Sequence, residues 1–149
     1  PDVISLSTGV DKITGFIFPD GASTSTLNCK VICPTGLAGT PAAKLVVHMM
    51  PRVTTGSSKV NLKISRLYAS ASTNMDVALT AESATDVTLD TSTLNYLSVW
   101  TFSLTANPTT GQYCTFQIKR DPTAANDNLA GDLFIVGIML QIDRSVTLA

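Results

Sequence analysis

The sequence predicts an all-β chain forming one antiparallel, jelly-roll-like β-sandwich domain. Three observations carry that reading. Several segments alternate apolar and polar residues with a period of two, turn-forming residues separate them at short intervals, and no long segment keeps the apolar period of a helix. Roughly six to nine strands with turns at such spacing is the pattern of an antiparallel sandwich.

Taken in order, residues 1–14 alternate weakly and supply little to a core, so they are expected to form either an arm reaching a neighbour or a frayed terminus. Short strands are expected at residues 15–18, 28–32 and 87–89. At residues 45–50 the strand LVVHMM is apolar on both faces and is stopped by Pro51. In residues 59–65, Val60, Leu62 and Ile64 alternate with Asn61, Lys63 and Ser65, the mark of a half-buried strand. Residues 99–104 repeat this with Trp100, Phe102 and Leu104 inward, and residues 113–119 with Cys114, Phe116 and Ile118. Residues 72–79 offer the best candidate for a helical turn, against the poor propensity of Thr, Val and Ser. Turns are marked at Pro19-Asp20-Gly21, Pro34-Thr35-Gly36, Thr55-Gly56-Ser57, Asn107-Pro108 and Asp121-Pro122.

The closing segment, residues 131–143, is the most informative. Read as one regular strand, it points Leu133, Ile135 and Met139 one way and Phe134, Val136, Ile138, Leu140 and Ile142 the other. A strand of a lone two-layer sandwich is apolar on one face only. This one therefore lies at the centre of a multilayer domain or has its second face covered by another chain.

At 149 residues the chain has the size of one domain able to bury a core without metal or disulfide support. Its longest apolar run, residues 133–140, is far too short for a membrane-spanning helix, and no membrane partner is expected. No basic-then-apolar leader opens the chain, and Pro1 reads as the residue left after trimming of an initiator Met, so the chain is taken as near full length. The net charge is −1 with dispersed Lys and Arg, which gives no footprint for nucleic acid. Only 14% of residues are charged, against roughly 25% in ordinary soluble domains, so much of the surface is Thr, Ser and Asn or is covered.

Catalytic chemistry finds little to use. His48 is the one histidine and sits in an apolar strand, where a structural or interface role outweighs that of a general base. The carboxylates nearest in sequence, Asp86 with Asp90 and Asp121 with Asp127, lie in turn-rich stretches where Asp closes loops. Asp121, Asp127 and Asp132 lack the dense acidic spacing of a calcium loop. Cys29, Cys33 and Cys114 form no even framework, and with His48 they make too sparse a set for zinc. The chain is read as a non-enzyme without cofactor or metal.

From residue 15 onward the chain resembles the β-sandwich domain of tailed-bacteriophage virion proteins, notably head and tail fibres and capsid decoration proteins. The resemblance rests on phrases in a fixed order: GFIFPDG at residues 15–21, the strand at 45–50, the alternating strand around Val60, FQIKRDP at 116–122, NDNLAGD at 126–132, and the closing strand. It implies a jelly-roll-like homotrimer. On this reading residues 1–14 are an N-terminal arm, 15–143 the sandwich domain and 144–149 a tail. With so short a segment before the first core strand, the expected function is a structural one: a trimeric capsid decoration, or cement, protein stabilising the major capsid protein lattice. It would sit on the outer surface of the virion capsid after assembly in the host cytoplasm. The residues expected at the trimer interface are His48 and Met50 on one strand and Phe134, Val136, Ile138 and Leu140 on the other. The alternative function is a receptor- or glycan-binding tip of a phage head or tail fibre, with Tyr96, Trp100 and Tyr113 as candidate sugar-stacking aromatics.

Overall fold

The computed structural model describes residues 2–8, 11–21, 24–34, 42–54, 56–92 and 94–142. Ten strands follow one another: β1 (Asp2–Thr8), β2 (Asp11–Phe18), β3 (Ser25–Ile32), β4 (Ala43–Pro51), β5 (Gly56–Ala69), β6 (Thr80–Ala81), β7 (Thr85–Thr91), β8 (Ser98–Ser103), β9 (Tyr113–Arg120) and β10 (Leu133–Ile142). These described strands form two five-stranded antiparallel sheets. Sheet A has the order β1-β2-β10-β4-β8, and sheet B has β3-β9-β5-β6 with β7 also paired to β5. The two sheets form a β-sandwich, and most connections between strands cross from one sheet to the other. Residues 72–79 hold turns and bends rather than a helical turn, and the tail expected at 144–149 lies outside the described residues.

Alternation sets the core. Leu45, Val47 and Met49 of β4 face Leu62 and Ile64 of β5 and Phe116 and Ile118 of β9, all at most 1% exposed. Trp100 is half-buried against Phe102, with ring centroids 5.4 Å apart, as the alternation of β8 predicts.

The closing strand departs from its sequence reading. Leu133, Phe134 and Ile135 pair with Pro51, Met50 and Met49, and pairing then resumes at Gly137 with His48, leaving Val136 as an extra residue. This bulge reverses the parity of everything after it. Leu133 and Ile135 face the core before it, and Ile138, Leu140 and Ile142 face the core after it. The expected grouping of Ile138 and Leu140 with Phe134 is thereby corrected: they are on opposite sides of sheet A.

The boundary expected at residue 15 falls inside β2. β1 and β2 pair throughout from Asp2–Ile17 to Thr8–Asp11, so the segment read as an arm is one strand and half of another in a hairpin. β2 joins β10 only through Phe16, Ile17 and Phe18. Gly15 marks the departure, because a Cβ there would run into the carbonyl oxygen of Ile135 and lie 3.0 Å from the ring of Phe134.

One end of the sandwich is held by Arg120, whose side chain is wholly buried. Its Nε and Nη2 donate to both carboxylate oxygens of Asp127 at 3.1 and 2.9 Å. Nη2 also donates to Leu129 O at 2.8 Å, and Nη1 to Gly131 O at 2.8 Å and Phe18 O at 3.4 Å. A planar guanidinium with five donors suits such a cluster, where an ammonium would leave acceptors unmet. The phrases KRDP and NDNLAGD thus encode a buried cation and the loop wrapped around it.

Candidate interaction surface

The antiparallel register places residues of sheet A's outer face in rows. Ile17 of β2 pairs with Phe134 of β10, which pairs with Met50 of β4. The next row is Gly137, His48 and Val99, and the next Met139, Val46 and Thr101. Only the last row, Gln141, Lys44 and Ser103, is polar throughout. Within the chain this face already buries Phe134, Met50 and Val46, which stand apart from the residues of the central core. Val99 and Met139 remain 56% and 49% exposed on either side of β4. Leu94, Tyr96 and Leu97, in the segment leading into β8, are half exposed, and Asn95 N donates to Pro51 O at 3.2 Å, fixing that segment against the end of β4.

Of the six residues expected at an interface, His48, Met50 and Phe134 lie together on this outer face. Val136 occupies the bulge, and Ile138 and Leu140 turn inward. Val46, Val99 and Met139 were missed. Gly137 was the available signal, since an isolated glycine in a strand pattern marks a bulge, and allowing for one puts Met139 outward.

The outer face of sheet B is built differently. It carries Asn28 and Lys30 of β3, Gln117 and Lys119 of β9, and Lys63 and Ser65 of β5, with Ile32, Leu67 and Tyr113 toward one end. Gln117 Nε2 donates to Asn28 Oδ1 at 3.1 Å, and Lys63 Nζ donates to Asp121 Oδ2 at 2.6 Å. These are contacts of a solvated face.

The carboxylates weighed for chemistry are taken up in structural hydrogen bonds, Asp86 and Asp127 both accepting from Asn61. Asp86 accepts from Asn61 Nδ2 and Asn126 Nδ2, Asp90 from Ser92, and Asp121 from Lys63 and Thr123, while Asp127 is held by Arg120. Asp132 Oδ1 accepts from Asp20 N at 2.9 Å. Hydrogen bonds from Lys63 and then Thr123 hold the Asp121 carboxyl below the usual range. Glu82, buried beneath sheet B, pairs with Arg66 and accepts from Thr105 N at 3.2 Å. Among the described residues no group of three or more His, Cys, Asp or Glu is placed to hold a metal ion. Cys33 and Cys114 are fully buried and Cys29 partly so, on the sheet opposite His48. Burial raises the Cys29 and Cys114 thiols to about 11, so both are neutral at physiological pH and poor nucleophiles.

No protein-family model matches the chain, and no curated protein matches it. Among solved structures, the carbohydrate-binding module TmCBM61, determined in complex with β-1,4-galactotriose, aligns over 91% of this chain and 73% of its own, with 15% identity and a TM-score of 0.43. A likeness of that degree carries no argument about what this chain does.

Proposed function

We propose that this chain is a structural virion protein: a homotrimeric capsid decoration protein of a tailed bacteriophage that binds the outer face of the major capsid protein lattice. The observation that carries the proposal is the exposed part of sheet A's apolar outer layer, Val99 and Met139 with Leu94, Tyr96 and Leu97 half exposed in the segment before β8, which is the kind of surface a sandwich covers by association. Three further features agree. The strand order, with β2-β10-β4-β8 facing β3-β9-β5-β7, is that of a jelly roll. The hairpin of β1 and β2 leaves the sheet at Gly15 and supplies an arm. The low charge suits a protein embedded in an assembly.

The mechanism is stoichiometric. A trimer bridging neighbouring capsid subunits binds the assembled shell and not its separated parts, so it stabilises the shell by mass action. Light scattering of the purified chain is expected to give three times the monomer mass, and adding it to undecorated capsids is expected to raise their thermal disruption temperature. A monomer at micromolar concentration, or capsids that neither bind it nor gain stability, would sink the proposal.

One observation favours the second reading, a receptor- or glycan-binding fibre tip. An open depression of about 570 Å³ at one end of sheet B is lined by Lys30, Ser70, Thr73, Met75 and Tyr113. Tyr113 offers a ring for stacking on a sugar beside polar partners. Saturable binding to a host polysaccharide, lost in Tyr113→Ala, is the result that reading requires.

A further inference from the structure

β10 changes neighbours halfway along its length. From Leu133 to Ile135 it is flanked by β2 and β4, but from Gly137 to Ile142 it keeps β4 on one edge while no described strand pairs with the other. Such an edge presents unpaired N–H and C=O groups to any extended chain that reaches it. Beside it, between β10 of sheet A and β3 of sheet B, runs an open groove of about 310 Å³ lined by Val31, Leu45, Phe116, Ile138 and Leu140, with Lys30 at its side. The groove is continuous through Cys29 and Ile138 with a hollow of about 220 Å³ beside Gly15 and Phe16, where the hairpin departs. It is therefore a slot with an apolar floor and a hydrogen-bonding wall.

The hairpin is the complementary element. Residues 4–8 of β1 and 11–15 of β2 pair only with each other among the described strands, and β1 is the outermost strand of sheet A. A two-stranded ribbon without further support is marginally stable in water, so it requires a third strand or a surface. Within one chain β2 stands between β1 and β10, so β1 does not pair with the free edge of its own β10.

We propose that the slot is filled by β1 of a second copy of this chain, which adds through its outer edge to residues 137–142 of β10. This deepens the self-association reading above and rests on it. Length, charge and position point to this occupant. β1 has seven residues and the free edge six, so at about 3.3 Å per residue both span about 20 Å. Its sequence DVISLST alternates Ile4 and Leu6 with Ser5 and Ser7, fitting one apolar and one solvated side. Asp2 is the one charged residue of β1, and Lys30 is the one charged residue lining the groove. The hairpin also leaves its own sheet where the free edge begins. Contact of one surface with a different surface on the next copy is head-to-tail, and three such contacts close a ring. Backbone pairing supplies affinity and the groove supplies register, as in other strand additions.

Cross-linking between chains that each carry one accessible thiol, Cys33 and Cys114 being buried, tests this. In a Cys29→Ser background, chains carrying Ile4→Cys are refolded together with chains carrying Val31→Cys and treated with a short bismaleimide. Val31 is 37% exposed in the groove, so the substitution is tolerable and its thiol reachable. The expected result is a covalent two-chain band from the mixture, absent when either variant is treated alone. Replacing Val31→Cys by Ile32→Cys, which lies on the outer side of the same strand, is expected to cut the yield at least fivefold. Leu6→Cys, on the same side of β1, replaces Ile4→Cys if the latter fails to fold. Trimers by light scattering with no mixed band, or with equal yields from Val31→Cys and Ile32→Cys, would overturn the strand addition and leave the trimer standing. Monomers by scattering would overturn both.

Discussion

The two outer faces of this sandwich share one backbone architecture and differ in what they ask of their surroundings. On sheet B, Lys63, Lys119, Gln117 and Asn28 meet water, each other or a loop carboxylate. On sheet A the equivalent positions hold Val46, Met50, Phe134, Met139 and Val99, and charge is confined to the row containing Lys44. Strand pairing does not require that difference, since both sheets are built from antiparallel ladders of the same kind. It teaches where the proposed self-association would act: within the chain this layer already buries Phe134, Met50 and Val46, and Val99 and Met139 are left exposed.

The contrast can be broken most severely by removing what the two sheets share. Arg120 rises from β9 of sheet B and donates to Phe18 O at the end of β2 in sheet A. Arg120→Leu strands the buried Asp127 carboxylate and several carbonyls, and is expected to cost about 3–5 kcal/mol in urea unfolding. Both faces fall together. Retention of wild-type stability would show that the cluster is replaceable.

A smaller and more selective effect is expected from placing charge on one face at a time. Met139→Lys on sheet A should weaken self-association by at least tenfold in sedimentation or light scattering, with unfolding of the chain changed by no more than about 0.5 kcal/mol. Thr115→Lys on sheet B should leave the association constant unchanged. Equal effects from the two would erase the distinction between the faces.

Two pH responses are weaker still. The Cys29 thiol lies in the groove at one margin of the core and is raised by burial from 9.0 to about 11. A folded value above the unfolded one means the contribution is intact below pH 9 and is lost as pH rises toward 11. Cys29→Ser is expected to flatten part of the alkaline decline in thermal stability over that window. Thiol labelling of the native chain should accelerate over the same range. The smallest effect concerns Asp121 on the solvated side, whose carboxyl is lowered by Lys63 and Thr123. Its contribution is present above the ordinary value of 3.8 and lost as pH falls below it. Lys63→Met should shift the acid unfolding midpoint slightly upward, and no shift would mean that solvent screening removes the pair's worth.

Much of this arrangement was readable from residue order. Strands at Val60, Trp100 and Phe116 announced themselves by period-two alternation, and Pro51 closed β4 as expected. The two-faced character of β4 was also legible, because Leu45, Val47 and Met49 face the core while Val46, His48 and Met50 face out. β10 misled because a period of two carries no mark of an inserted residue, and only Gly137 hinted at one. The weak alternation of residues 1–14 hid a hairpin, since two-stranded ribbons need no amphipathic pattern strong enough to hold a core. Arg120 was invisible as a buried group because arginine in a turn phrase reads as solvated. Its role depends on Asp127, Leu129 and Gly131 wrapping back, which spacing alone does not disclose.

β10 has a last consequence, concerning the time at which sheet A comes into being. β2 and β4 do not pair with each other, and each meets the sheet's centre only through β10, with Phe134 lying between Ile17 and Met50. During synthesis the early strands must wait for a partner made near the far end of the described chain, while β5, β7 and β9 have already been produced. Sheet B can zip first, leaving β4 paired only with β8 and its other edge open until β10 emerges. Sequence-distant pairing of this kind slows folding and exposes hydrophobic edges meanwhile. A nascent chain stalled before residue 133 should therefore bind a holdase chaperone, and release should follow completion of β10.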